Sequence, residues 1–212
     1  MNATMMTVNL FGENVYILWD ETSRDAVVVD PDMMRDAERE MVTKFIAENQ
    51  LNVKHVLLTH LHLDHVTSAR WLANETGADV CGSAQDAQLG LELPEQVAHF
   101  HLKIEIGSLT LDRELVDGDT IPLGNEMIQV LHVPGHSPGG LAFYLAESGL
   151  LIAGDTIFNG SVGRTDLFGG DMAQLLNSIR EKIFTLPDET VIASGHGPTT
   201  TVADEKRFNP FL

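Results

Sequence analysis

The chain has 212 residues, 43% hydrophobic and 21% charged, a balance that excludes a disordered protein and lets it bury roughly 70% of its unfolded surface without disulfide staples. Its single cysteine, Cys81, excludes an intrachain disulfide and a secreted disulfide scaffold. Thirteen basic against 31 acidic residues give a formal charge of −18, which repels nucleic acid and anionic lipid and leaves small molecules and metal ions as the expected partners.

Met5–Leu10, Asn14–Trp19 and Asp25–Asp30 read as strands separated by turn residues. Ala26–Val29 is continuously apolar, so it is expected to be buried on both faces. Met34–Gln50 has apolar residues three and four apart and reads as a helix. Val53–Thr59 is a second buried strand, Thr67–Glu75 a helix closed by Gly77, and Asp79–Cys81 a short strand. Residues 85–111 read only as helix and loop. Leu115–Asp117, Met127–Val133, Leu141–Leu145 and Leu150–Ala153 are predicted strands divided by glycine and proline turns. Asp171–Phe184 is a helix that Asp171 can cap, and Thr190–Ser194 is a last strand. No Pro-, Gly- or Ser-rich linker divides the chain, so a single domain over 1–212 is expected, with a two-sheet core and helices outside. No apolar run approaches the ~20 residues of a membrane span. The start of the chain lacks the basic and small-residue features of a signal peptide, so the expected location is the cytoplasm.

Histidines carry the functional signal. In His60-Leu61-His62-Leu63-Asp64-His65, four ligand-type residues occupy six positions directly after a buried strand. His60 and His62 lie two apart, so in extended chain they point the same way. His136, Asp155 and His196 each follow another predicted strand, beside glycines that permit a tight turn. Five histidines and two aspartates are too many for one tetrahedral ion and suit two ions sharing a carboxylate. Imidazole and carboxylate without thiolate suit zinc, and also iron or manganese. Cys81 reads as a small buried apolar residue. His55, His99 and His101 read as structural or surface residues, and His132, just before the His136 loop, as a candidate to support a ligand.

These motifs resemble the metallo-β-lactamase superfamily over nearly the whole chain. Within it, Pro134–Gly139, Gly154–Phe158, Gly163-Arg164-Thr165-Asp166, Gly195–Thr199 and the ending Asn209–Leu212 are similar to the short glyoxalase II-like hydrolases. The resemblance implies an α/β fold: a four-layer αββα sandwich of two mixed sheets flanked by helices, with the metal site at one edge. It implies a first ion on His60, His62 and His136, a second on Asp64, His65 and His196, and Asp155 bridging them. It further implies hydrolysis of glutathione thioesters such as S-lactoylglutathione, with Asp64 orienting the attacking water. Because the chain stops soon after His196, the C-terminal helical domain of the longer enzymes is expected to be absent. Arg164 is either an anion contact for the substrate or a loop arginine paired with Asp166 or Asp171. Lys206 and Arg207 are weaker candidates for the same contact. A thiolate leaves without strong protonation whereas an amide nitrogen needs an acid, which favours thioesters. The alternative is a mononuclear iron persulfide dioxygenase of the same fold, using His60, His136 and Asp155.

Overall fold

Alternation along the strands explains the layers. The computed structural model describes residues 1–212. Its first sheet contains β1 (Asn2–Val8), β2 (Glu13–Trp19), β3 (Asp25–Val29), β4 (Asn52–Leu57), β5 (Asp79–Gly82) and β6 (Arg113–Glu114), in that order. Pairing is antiparallel from β1 to β3 and parallel from β3 to β6. In β3, Val27 and Val29 point into a cluster that also holds Phe143, Ile128 and Ile152 of the opposite sheet, while Ala26 and Val28 face a second cluster on the outside. Both faces are therefore covered, as the apolar run predicted.

The outer cluster is closed by α1 (Asp36–Glu48), α2 (Leu63–Val66), α3 (Ala69–Thr76), α4 (Ala87–Leu91) and α5 (Leu93–His99), through residues such as Val42, Leu72, Leu89 and Leu93. The second sheet contains β7 (Thr120–Leu123), β8 (Glu126–His132), β9 (Leu141–Leu145), β10 (Leu150–Gly154), β13 (Val191–Ser194) and β14 (Thr200–Thr201), and β11 (Ile157–Phe158) pairs separately with β12 (Ser161–Val162). Its outer face packs on α6 (Met172–Ser178), the π-helical turn Ile179–Ile183 that continues it, and α7 (Val202–Phe208), through Leu175, Ile179, Ile183 and Val202. The result is helix, sheet, sheet, helix: the αββα sandwich expected.

Local differences have local causes. Leu115–Asp117 is not a strand. The pairing partner of β8 is instead β7, joined to it by the tight turn Gly124-Asn125. Pro122 obscured that strand, and it is tolerated because β7 is the sheet edge. Met5–Leu10 forms two to three residues earlier, as the edge strand β1 with alternating exposure. The helix expected from Thr67 is preceded by the one-turn α2, which the histidine motif itself makes. Asp171 does cap α6, its Oδ1 accepting from Gln174 N at 3.0 Å.

The two sheets are tied together at one end. Asn14 N donates to Gly195 O at 2.7 Å, Tyr16 OH to Ser194 O at 2.6 Å, and Leu141 N to Thr59 O at 2.7 Å. These bonds bring the C-terminal ends of β4, β10 and β13 beside the start of β2. No helix is long and apolar enough to cross a membrane.

Candidate metal centre

The loops and the single turn α2 that follow strands at this edge carry the seven predicted side chains. β4 delivers His60. His62 is the extended residue before α2, with φ −70° and ψ 152°, and the single turn that follows swings Asp64 and His65 inward. The loop after β8 brings His136, where Nε2 lies 2.9 Å from His62 Nδ1 and 3.2 Å from His60 Nε2. Asp155 directly follows β10, and His196 lies two residues beyond β13. Asp155 Oδ1 is 3.5 Å from His65 Nε2, and Oδ2 is 3.6 Å from His196 Nε2 and 3.8 Å from His136 Nε2. Asp64 Oδ2 stands 3.5 Å from His196 Nε2.

Donor atoms gather in two groups, each within 4.8 Å internally: His60, His62 and His136 in one, and Glu13, His65, Asp155 and His196 in the other. All seven predicted residues are thus brought together, with Asp64 at the rim of the second group. Glu13 was not singled out in the sequence, where one glutamate in a Gly-Glu-Asn turn carries no pattern; its total burial is what marks it.

Burial and charge set the protonation of these groups. Burial, reinforced by neighbouring imidazoles, holds His60 far below its ordinary value, and burial with His136 brings His62 down to about 3. Both therefore keep a free lone pair at neutral pH. Burial opposes ionisation of Asp155, but His65, His136 and His196 outweigh it and hold its carboxyl well below the usual range. Burial likewise opposes charge on His65, yet Glu13, Asp155 and Asp30 drive it well above the ordinary histidine value, so an ion held at Nε2 would have to displace that proton.

The arrangement fits divalent ions. Both Glu13 oxygens, His62 Nε2, His65 Nε2 and Asp155 Oδ1 are buried without a hydrogen-bond partner, the state a protein avoids unless something else satisfies them. A Cβ at Gly195 would lie 2.3 Å from Asp155 Oδ1 and 2.7 Å from His65 Cε1, so only glycine leaves room for this group of donors.

Three buried carboxylates outside the two groups hold the ligand loops. Asp30 accepts from Thr59 N at 2.8 Å and Thr59 Oγ1 at 2.6 Å, and lies 2.9 Å from His65 Nδ1. Asp32 receives Thr67 N at 3.0 Å, just after α2. Asp86 receives Leu61 N at 3.2 Å, Ser137 Oγ at 2.8 Å and Gly139 N at 2.6 Å. Asp30 fixes the ring that presents His65 Nε2 to the centre, so Asp30→Ala is expected to weaken metal binding by about 10–100-fold. Zinc titration against a competing chelator measures this, and unchanged affinity would deny Asp30 that role.

The remaining residues sort by position. His136 Nδ1 donates to Arg164 O at 2.7 Å, which turns its Nε2 toward the centre. The Arg164 guanidinium grips Asp166 at 2.7 and 2.8 Å and also lines a cleft of about 510 Å³ beside the donors. Phe11, Leu89, Phe100 and Phe168 form apolar walls of that cleft. His99, read from sequence as structural or surface, lines it too, with Glu92, Glu95 and Gln96. Residues 87–99 are thus the helical wall α4–α5. His132 Nε2 lies 3.0 Å from Pro138 O and braces the His136 loop. Lys206 pairs with Asp188, and neither it nor Arg207 lines the cleft. Cys81 is buried beside His55, its thiol pushed up to about 12 by burial.

An αββα sandwich carrying histidine and aspartate donors at the shared sheet edge defines a metal-dependent hydrolase, and the cluster implies divalent ions. The family model of the metallo-beta-lactamase superfamily matches residues 8–196, and the chain belongs to that superfamily. It is 39% identical to the hydroxyacylglutathione hydrolase GloC of Haemophilus influenzae, across all of this chain and 98% of that one. Among solved structures it is similar to TTHA1623 in a di-iron-bound form, with a TM-score of 0.87 and 36% identity over 99% of this chain and 100% of that one. It is also similar to ETHE1 from Myxococcus xanthus, with a TM-score of 0.79 and 30% identity over 99% of this chain and 84% of that one.

Proposed function

We propose that residues 1–212 act as one hydrolase unit that cleaves thioesters, with glutathione thioesters such as S-lactoylglutathione as the leading substrates. The observation that carries this reading is the convergence of seven donors on an open cleft in a chain 39% identical to a hydroxyacylglutathione hydrolase. His60, His62 and His136 would hold one ion, Asp64, His65 and His196 the other, and Asp155 would be shared. Zinc suits the three-imidazole group; iron and manganese suit the pair as well. Bound divalent ions supply Lewis acidity and a water that deprotonates near neutral pH.

The chain's own groups do the rest. Burial opposes ionisation of Asp64, but contact with the His196 imidazole at 3.5 Å helps hold its carboxyl below the usual range. It is therefore a carboxylate at neutral pH, placed to accept a proton from an attacking water. Phe11, Phe100 and Phe168 give the open cleft apolar walls against which a substrate can pack. Arg164, still exposed beside Asp166, offers the cleft's guanidinium to a substrate carboxylate. A thiolate leaves unaided.

Purified protein with metal restored is expected to hydrolyse S-lactoylglutathione, followed by loss of thioester absorbance, and to lose that activity on chelation. Inactivity on every thioester tried sinks the proposal. Oxygen uptake with glutathione persulfide and one iron per chain would favour the mononuclear alternative on His60, His136 and Asp155.

A further inference from the structure

We propose that Glu13 is itself a metal-holding carboxylate, and that it makes the second position of the centre prefer a harder divalent ion than the three-histidine position does. The inference rests on the two-ion reading above. Glu13 is the first residue of β2 and is fully buried. Its Oε2 lies 3.0 Å from His196 Nε2, and its Oε1 lies 3.2 Å from His65 Nδ1. Its backbone forms a bridge with His196, and the next residue bonds Gly195, so the carboxylate is anchored from both strands.

Two observations separate a ligand from a mere partner of His65. Asp30 already lies closer to His65 Nδ1, at 2.9 Å, so orienting that ring does not require a second carboxylate. Neither Glu13 oxygen accepts a hydrogen bond although both are buried. The two oxygens face only imidazole nitrogens, at 3.0 and 3.2 Å, and a cation seated among these donors would take the charge of a carboxylate otherwise costly to bury. The donor sets then differ in kind. One group is three imidazoles, and the other holds two imidazoles and two carboxylates, with a third carboxylate, Asp64, at its rim. Imidazole favours zinc, whereas carboxylate oxygen suits manganese and similar hard ions.

The test uses the full chain, stripped of metal and titrated separately with Mn²⁺ and Zn²⁺. Calorimetry gives stoichiometry, and electron paramagnetic resonance counts free and bound Mn²⁺. In the wild type we expect two ions per chain. In Glu13→Gln the affinity for Mn²⁺ at the second position is expected to fall at least about tenfold, while the first Zn²⁺ equivalent is unchanged. A second Mn²⁺ bound within about twofold of wild type, or an equal loss of Zn²⁺ at both positions, overturns the inference. Circular dichroism in chelator checks the fold. If Glu13→Gln does not fold, Glu13→Asp, which keeps the charge and withdraws the oxygens, carries the test, and native Mn²⁺ affinity there overturns it. A wild-type protein that holds a single ion overturns the two-ion reading itself, and this inference with it.

Discussion

Asp155→Ala is expected to lower kcat on S-lactoylglutathione by on the order of 10³-fold or more, with the variant folded and its second metal ion lost. Asp155 is the only carboxylate within 4 Å of imidazoles from both donor groups, at 3.8 Å from His136 and 3.5 Å from His65. Removing it leaves five histidines with no shared anion, so two cations placed there would repel one another at close range in a medium of low dielectric. Asp155→Asn keeps the volume and removes the charge. It should lose nearly as much activity, which separates the electrostatic role from packing. Circular dichroism and metal analysis on the same samples check that the loss lies in the centre. An alanine variant with activity within tenfold of wild type would show that no shared carboxylate is needed.

Asp86→Ala should produce the largest effect on stability. Its carboxylate is fully buried and receives the Leu61 amide, the Ser137 hydroxyl and the Gly139 amide, so one side chain clamps the His60–His65 loop to the His136 loop. Burial pushes its carboxyl up from the usual value, while those three hydrogen bonds pull the other way. Truncation strands three donors away from water, at about 1–3 kcal/mol for each one left unsatisfied. Some relaxation is expected, so the predicted loss is roughly 3–5 kcal/mol of unfolding free energy. Urea unfolding of the metal-free protein measures it as a lower midpoint at unchanged slope. Metal affinity should fall in parallel, because the two loops carry donors of the same three-histidine group. A midpoint change worth less than about 0.5 kcal/mol would show that the loops are held by other contacts.

Neither Asp86 nor Glu13 was legible in the sequence, whereas the histidines were. His60, His62, Asp64 and His65 announce themselves because metal chemistry needs several ligand types on one short rigid segment, and a two-residue spacing at a strand end is visible by reading along the chain. His136, Asp155 and His196 were legible because each follows an apolar run and sits among turn glycines. Asp86 lies in a stretch where short helices, α4 and α5, give too few turns for a periodic signal. β7 was hidden by Pro122, and α7 by its length of seven residues.

By itself the sequence determined which residue types could bind metal, that β3 must be covered on both faces, and that helices and strands alternate in an order compatible with two sheets. Those are properties of short segments, set by side-chain period and backbone preference. Tertiary structure alone decided which donors share a group, that Glu13 stands among them, and which carboxylates brace the loops. A carboxylate's role depends on burial and on what lies opposite, and here the opposite residue is far along the chain: His65 for Asp30, Gly139 for Asp86, and His196 for Glu13. No local pattern encodes such a pairing, because it exists only once both sheets have closed.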